Sequence, residues 1–165
     1  MLRNLGSQYL AKLYLYLGRT YYHYINMPHE GVNALSKSVE YYKRINGKNG
    51  INVSHELGMA YCDLASAYQK TNDREMAKKI FIESISILRS ITDAGLIEQS
   101  SLANALNNLA WFYYEEDELS KAEPLAIEAV DLEEAYCKAL GQNSRNIVEF
   151  KDTLDKIKEI KKSLQ

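Results

Sequence analysis

The chain has little of what covalent and metal chemistry needs. Its 165 residues include two cysteines, two prolines, one tryptophan and three histidines. Cys62 and Cys137 cannot build a disulfide framework, and neither has a second cysteine nearby to form a metal knuckle. His23, His29 and His55 are scattered without ligand spacing, and no glycine-rich phosphate loop is present. No cofactor, metal or enzymatic activity is therefore expected. Apolar runs fall short of the roughly 18–20 residues of a membrane span. Lys12 interrupts the apolar N-terminal stretch and no small-residue cleavage site follows, which argues against a secretory signal. The expected location is cytoplasmic. Charge of one sign is also lacking: 20 basic and 22 acidic side chains leave a net charge of −2. Nothing in that balance attracts nucleic acid or an acidic membrane, so neither is expected as a partner.

What the chain does have is repetition and helical periodicity. Leu64-Ala65-x-x-Tyr68 recurs 45 residues later as Leu109-Ala110-x-x-Tyr113. The same shift carries Ala77 to Ala122, Phe81 to Ala126, Ser84 to Ala129 and Ile87 to Leu132. Leu17-Gly18-x-x-Tyr21 supplies an earlier copy, with Gly31, Leu35, Ser38 and Tyr41 in its second segment. That copy is one residue longer, an excess expected around Asn26-Met27-Pro28. A further shift of 45 takes Leu109 to Leu154 in a last helical stretch.

Leu57, Ala60, Tyr61, Leu64, Ala65 and Tyr68 fall at spacings of three and four, one apolar stripe on a helix. Ala77, Ile80, Phe81, Ser84, Ile85 and Leu88 repeat the pattern. Polar connectors are expected at 47–50, 70–73 and 115–118. Asn72 with Glu75 and Ser120 with Glu123 read as capping boxes, and Pro124 as an early helix residue. Strand alternation with Asn-Gly turns is missing, so the fold class is all-α. Small residues (Gly18, Ala65, Ala110, then Gly31, Ala77, Ala122) mark where paired helices cross closely. A single pair cannot cover its own apolar face, so pairs must stack, which implies a quasi-one-dimensional right-handed superhelix.

These residues resemble the tetratricopeptide repeat: aromatic-x-x-Leu-small-x-x-Tyr, followed by a small, a large and a small residue. Tyr61, Leu64, Ala65, Tyr68, Ala77, Phe81 and Ser84 match it; Leu106, Leu109, Ala110, Tyr113, Ala122 and Ala129 match it with Ala126 in place of the usual aromatic. The expectation is one array over 1–165, with repeats at about 10–46, 54–91 and 99–139 and a capping helix at about 145–163. Asp155, where a small residue is usual, fits a solvent-facing cap. Ala105 to Ala110, Lys121 to Leu125 and Leu140-Gly141 are similar to the longer repeat subtype of kinesin light chains.

The resemblance implies that the first helices line a concave groove holding an extended or helical peptide. Projection puts Lys12, Tyr16, Arg19 and Tyr22 on that face of the first pair. Met59, Asp63 and Ser66 follow from the second, and Asn104, Asn107, Asn108, Trp111 and Tyr114 from the third. Amides suit a peptide backbone, and aromatics suit apolar anchors. The competing reading makes these asparagines solvated or inter-helix residues and Trp111 a packing residue. A carboxylate clamp is disfavoured, because Asp63 stands where an amide would be needed. Residues 1–46 carry six basic and two acidic side chains (net +4); residues 92–140 carry two and eleven (net −9). The expected function is non-enzymatic binding of a protein or peptide partner of unknown identity. Alternatives are a self-assembling module, such as a homodimer, and a regulatory fragment of a larger sensor or scaffold.

Overall fold

A computed structural model describes residues 2–48, 52–91 and 95–164, with side chains from residue 5 onward. The connector expected at 47–50 passes outside the described residues after Lys48. The elements are α1 (Leu2–Arg19), a π-helical turn (Thr20–Ile25), α2 (Pro28–Ile45), α3 (Ser54–Lys70), α4 (Arg74–Arg89), α5 (Leu96–Glu115), α6 (Leu119–Leu140) and α7 (Arg145–Ser163). The chain is all-α, with no strand among the described residues. Its contacts divide into two compact units, Met1–Leu88 and Arg89–Gln165.

In the first unit α1 packs on α2 and α2 on α3. The small residues do what their spacing implied. A Cβ on Gly18 would lie 2.4 Å from Leu35 Cγ, and one on Gly31 would lie 2.9 Å from Tyr22 Cβ. The α3–α4 pair is equally tight at a glycine, because a Cβ on Gly58 would meet Leu88 at 2.7 Å. Two buried serines tie second helices to first helices through the backbone. Ser38 Oγ donates to the Ala11 carbonyl and Ser84 Oγ to the Gly58 carbonyl, each at 2.8 Å. Each hydroxyl thereby satisfies itself inside the core, where an unbonded one would cost about 1–3 kcal/mol.

The extra residue of the first pair sits upstream of where its sequence suggested. Left-handed residues end the first helix of each pair: Asn26, Asn72 and Asp117. The closing bond runs from Asp73 N to Tyr68 O and from Glu118 N to Tyr113 O, five residues back, but from Met27 N to Tyr21 O, six back. The insertion is therefore absorbed in the π-helical turn, which is how a helix accommodates one added residue without ending.

Neither expected capping box starts where the sequence suggested: the first N-cap lies one residue later, at Asp73, and the second two residues earlier, at Glu118. Asn72 is the left-handed turn residue, and Asp73 caps α4 by accepting from Met76 N. Ser120 lies inside α6, whose first residue is Leu119. The chain needs one left-handed residue to leave a helix before the next cap can form. Pro124 is the sixth residue of α6, deeper than the first turn, and forfeits one i→i−4 bond. In the second unit α5 packs on α6 and α6 on α7, and α5 also touches α7. Ala110, Ala122, Ala126 and Ala129 are fully buried in it.

Candidate functional site

The expected face of the first unit is largely engaged within the protein. Asp63, on α3, receives Arg19 Nε at 2.7 Å and the Tyr22 hydroxyl at 3.0 Å. Lys70 Nζ donates to the Tyr22 carbonyl at 2.9 Å and lies over the Tyr22 ring. Burial raises the Asp63 carboxyl from its ordinary value, against the pull of Arg19. Burial, and then the charge of Asp63, push the Tyr22 phenol well above the usual tyrosine range.

Tyr22 is 2% exposed and offers no anchor to a ligand. The reason is local: the π turn lies directly against α2, and Gly31 leaves room for the Tyr22 Cβ. Ser66 Oγ donates to its own helix at the Cys62 carbonyl. Lys12 and Tyr16 are exposed and Met59 is half-buried. Arg19, Tyr22 and Asp63 thus brace α1 and the π turn against α3, and Lys12, Tyr16 and Met59 remain reachable.

In the second unit the predicted residues separate differently. Asn104, Asn108, Trp111 and Tyr114 are half-buried along α5. Asn108 Nδ2 donates to Asn104 Oδ1 at 3.3 Å. The Trp111 and Tyr114 rings stand 5.0 Å apart at 33°, an offset aromatic pair. Trp111 Nε1 donates to Glu115 at 2.8 Å, and Lys156 of α7 lies 5.4 Å above its ring. The amide pair and the aromatic pair follow one another along one half-buried strip of α5. Asn107 is not part of it: the residue is 2% exposed and its Oδ1 has no partner. Because α5 is packed by both α6 and α7, only a narrow strip of it reaches solvent.

Residues 102–146 match the family model of the tetratricopeptide repeat. The matched tetratricopeptide segment begins at Leu102 in α5, contains α6 and ends at Asn146 in α7, so it holds the whole amide-aromatic strip. Repeats of this family supply protein-interaction surfaces. No curated protein matches the chain.

Sequence reasoning missed Glu133, a fully buried carboxylate in α6 of the tetratricopeptide segment. Ser100 Oγ of α5 donates to it at 2.8 Å, and Ser144, the N-cap of α7, also donates. Ser144 in turn accepts from Ile147 N, and the α7 helix N-terminus favours nearby negative charge. Glu133 therefore joins all three helices of its unit. Its acidic neighbours in sequence gave no sign that it alone turns inward. Among the described residues no three His, Cys, Asp or Glu side chains group as metal ligands would.

Proposed function

We propose that this chain is a non-enzymatic, cytoplasmic protein-interaction module that takes a peptide segment of its partner on the exposed strip of α5. The observation that carries the reading is the coincidence of Asn104, Asn108, Trp111 and Tyr114 on one half-buried surface within the matched repeat. Trp111 and Tyr114 offer a rigid apolar platform at low conformational cost. The asparagines offer both donors and acceptors to a peptide backbone. Lys12, Tyr16 and Met59 form the corresponding accessible surface of the first unit. The buried cysteines Cys62 and Cys137, neither of them in a disulfide, fit a reducing compartment. We also assign residues 102–146 to the subtype of kinesin light chains, on Ala105 to Ala110 and Lys121 to Leu125.

The test begins with a peptide selected by display against the purified chain. Calorimetry with the Asn104→Ala, Asn108→Ala double variant should show at least tenfold weaker binding with helicity retained. Unchanged affinity would reject the assignment.

A further inference from the structure

The Trp111–Tyr114 pair already carries a cation of the protein's own. Lys156 of α7 holds its Nζ 5.4 Å from the centre of the Trp111 ring, within the range of a cation–π contact. Trp111 Nε1 donates to Glu115 one turn along α5, which fixes the plane of the ring. Tyr114, at 5.0 Å and 33°, widens the π surface. Two carboxylates belong to this arrangement: Glu115 is bonded to the indole edge, and Asp152 is bonded to the ammonium itself at 2.6 Å.

Lys156 is a replaceable occupant. Its side chain is 44% exposed and that of Asp152 59% exposed, and the two form an i,i+4 pair on one helix. Ion pairs this exposed hold their geometry weakly, and this one persists when the lysine swings off the ring. The brace of the first unit is different. There Tyr22 is buried and Asp63 nearly so, which closes cation, carboxylate and ring into the protein.

Charge selects what replaces the lysine. Residues 96–118, which are α5 and the turn after it, hold five acidic side chains and no lysine, arginine or histidine. An incoming cation meets both the π face and the carboxylates. An incoming carboxylate is repelled by both, and an apolar side chain gains the ring alone.

We propose that Trp111 and Tyr114 form a subsite for a basic side chain, an arginine or lysine of the peptide segment that the strip takes. The inference rests on the reading of α5 as a peptide surface. The incoming cation lies over the Trp111 ring in the place of Lys156, beside Glu115, while Lys156 stays with Asp152. Lys156 is thereby an internal competitor that the ligand displaces.

The probe is the peptide acetyl-Ala-Ala-Arg-Ala-Ala-amide, with its citrulline isostere, which keeps the shape and loses the charge. The chain has one tryptophan, so its indole N–H gives a single magnetic resonance signal that reports on the site. The arginine peptide should shift that signal saturably, bind at least fivefold tighter than the citrulline peptide, and weaken as salt rises. Lys156→Gln, at unchanged circular dichroism, should tighten arginine binding at least threefold, whereas a lysine that only packs α7 on α5 would not oppose the ligand. Equal binding of the two peptides, an unmoved indole signal, or a Lys156→Gln variant that binds no tighter than the parent would overturn the inference. Saturation by tetramethylammonium at a lower concentration than by the arginine peptide would overturn it too, in favour of a site for small cations. Equal binding that is lost in the Asn104→Ala, Asn108→Ala variant overturns the subsite and leaves the peptide surface standing. An arginine preference that survives in that variant supports the subsite and removes the role given to the asparagines.

Discussion

Tyr42 carries a hydroxyl buried in the first unit without a hydrogen-bond partner. Burial pushes its phenol up to about 12. The neutral form is thus favoured in the folded state, and its contribution is fully present below the ordinary tyrosine value near 10 and lost as pH rises through about 12. Tyr42→Phe removes an unsatisfied polar atom and keeps the ring. Urea denaturation should find the variant at least as stable as the parent at pH 7 and less steeply destabilised between about pH 10 and 12. Asp63 gives the opposite case, a carboxylate held by two donors. Arg19→Met removes the charged partner and leaves Asp63 with the Tyr22 hydroxyl alone, and the loss should be about 1–3 kcal/mol, discounted because Arg19 is partly exposed. Arg19→Met with Asp63→Leu and Tyr22→Phe should recover much of it in the same denaturation assay, because Tyr22 would otherwise keep a buried hydroxyl without its acceptor.

At the level of the helix pair, glycine has opposite consequences at two places in the same unit. Gly31 has no space for a Cβ because Tyr22 occupies it, whereas Gly6 has nothing within 4 Å. Gly31→Ala should cost about 1–3 kcal/mol through overpacking. Gly6→Ala should stabilise by up to about 1 kcal/mol through helix propensity. Thermal melts of the two variants check both signs.

The crossings themselves were legible because Gly18, Ala65, Ala110 and their partners recur at fixed intervals, and an interval is a local property of the chain. The π turn was not legible in place. One added residue fits anywhere between Tyr21 and Gly31 until the six-residue closing bond to Tyr21 fixes it. The cap before α4 moved by one because the left-handed Asn72 occupies the position that the Asn-x-x-Glu pattern assigned to it.

Across the whole chain, periodicity revealed an all-α repeat protein, and projection on a helical wheel located the candidate surface only in part. Asn104, Asn108, Trp111 and Tyr114 reach solvent, but Tyr22 and Asn107 from the same projections do not. A projection sees one helix at a time. Whether a residue opposite the pairing face is covered depends on a third element, as with α7 beside α5, or on an insertion that turns the side chain inward, as at Tyr22. Glu133 escaped notice for the same reason, since its two serine partners lie on other helices. The charge contrast between residues 1–46 and 92–140 belongs to this scale too. Its ordinary reading is a solvated outer face together with the acidic turn from Glu115 to Glu118.

Trp111 is the lone tryptophan and stands in the middle of the proposed strip, so its emission reports directly on occupancy. Titration with a display-selected peptide should shift and saturate that emission, with the change abolished by Asn104→Ala and Asn108→Ala. Calorimetric binding with no change in Trp111 emission, undiminished in that double variant, would contradict the account.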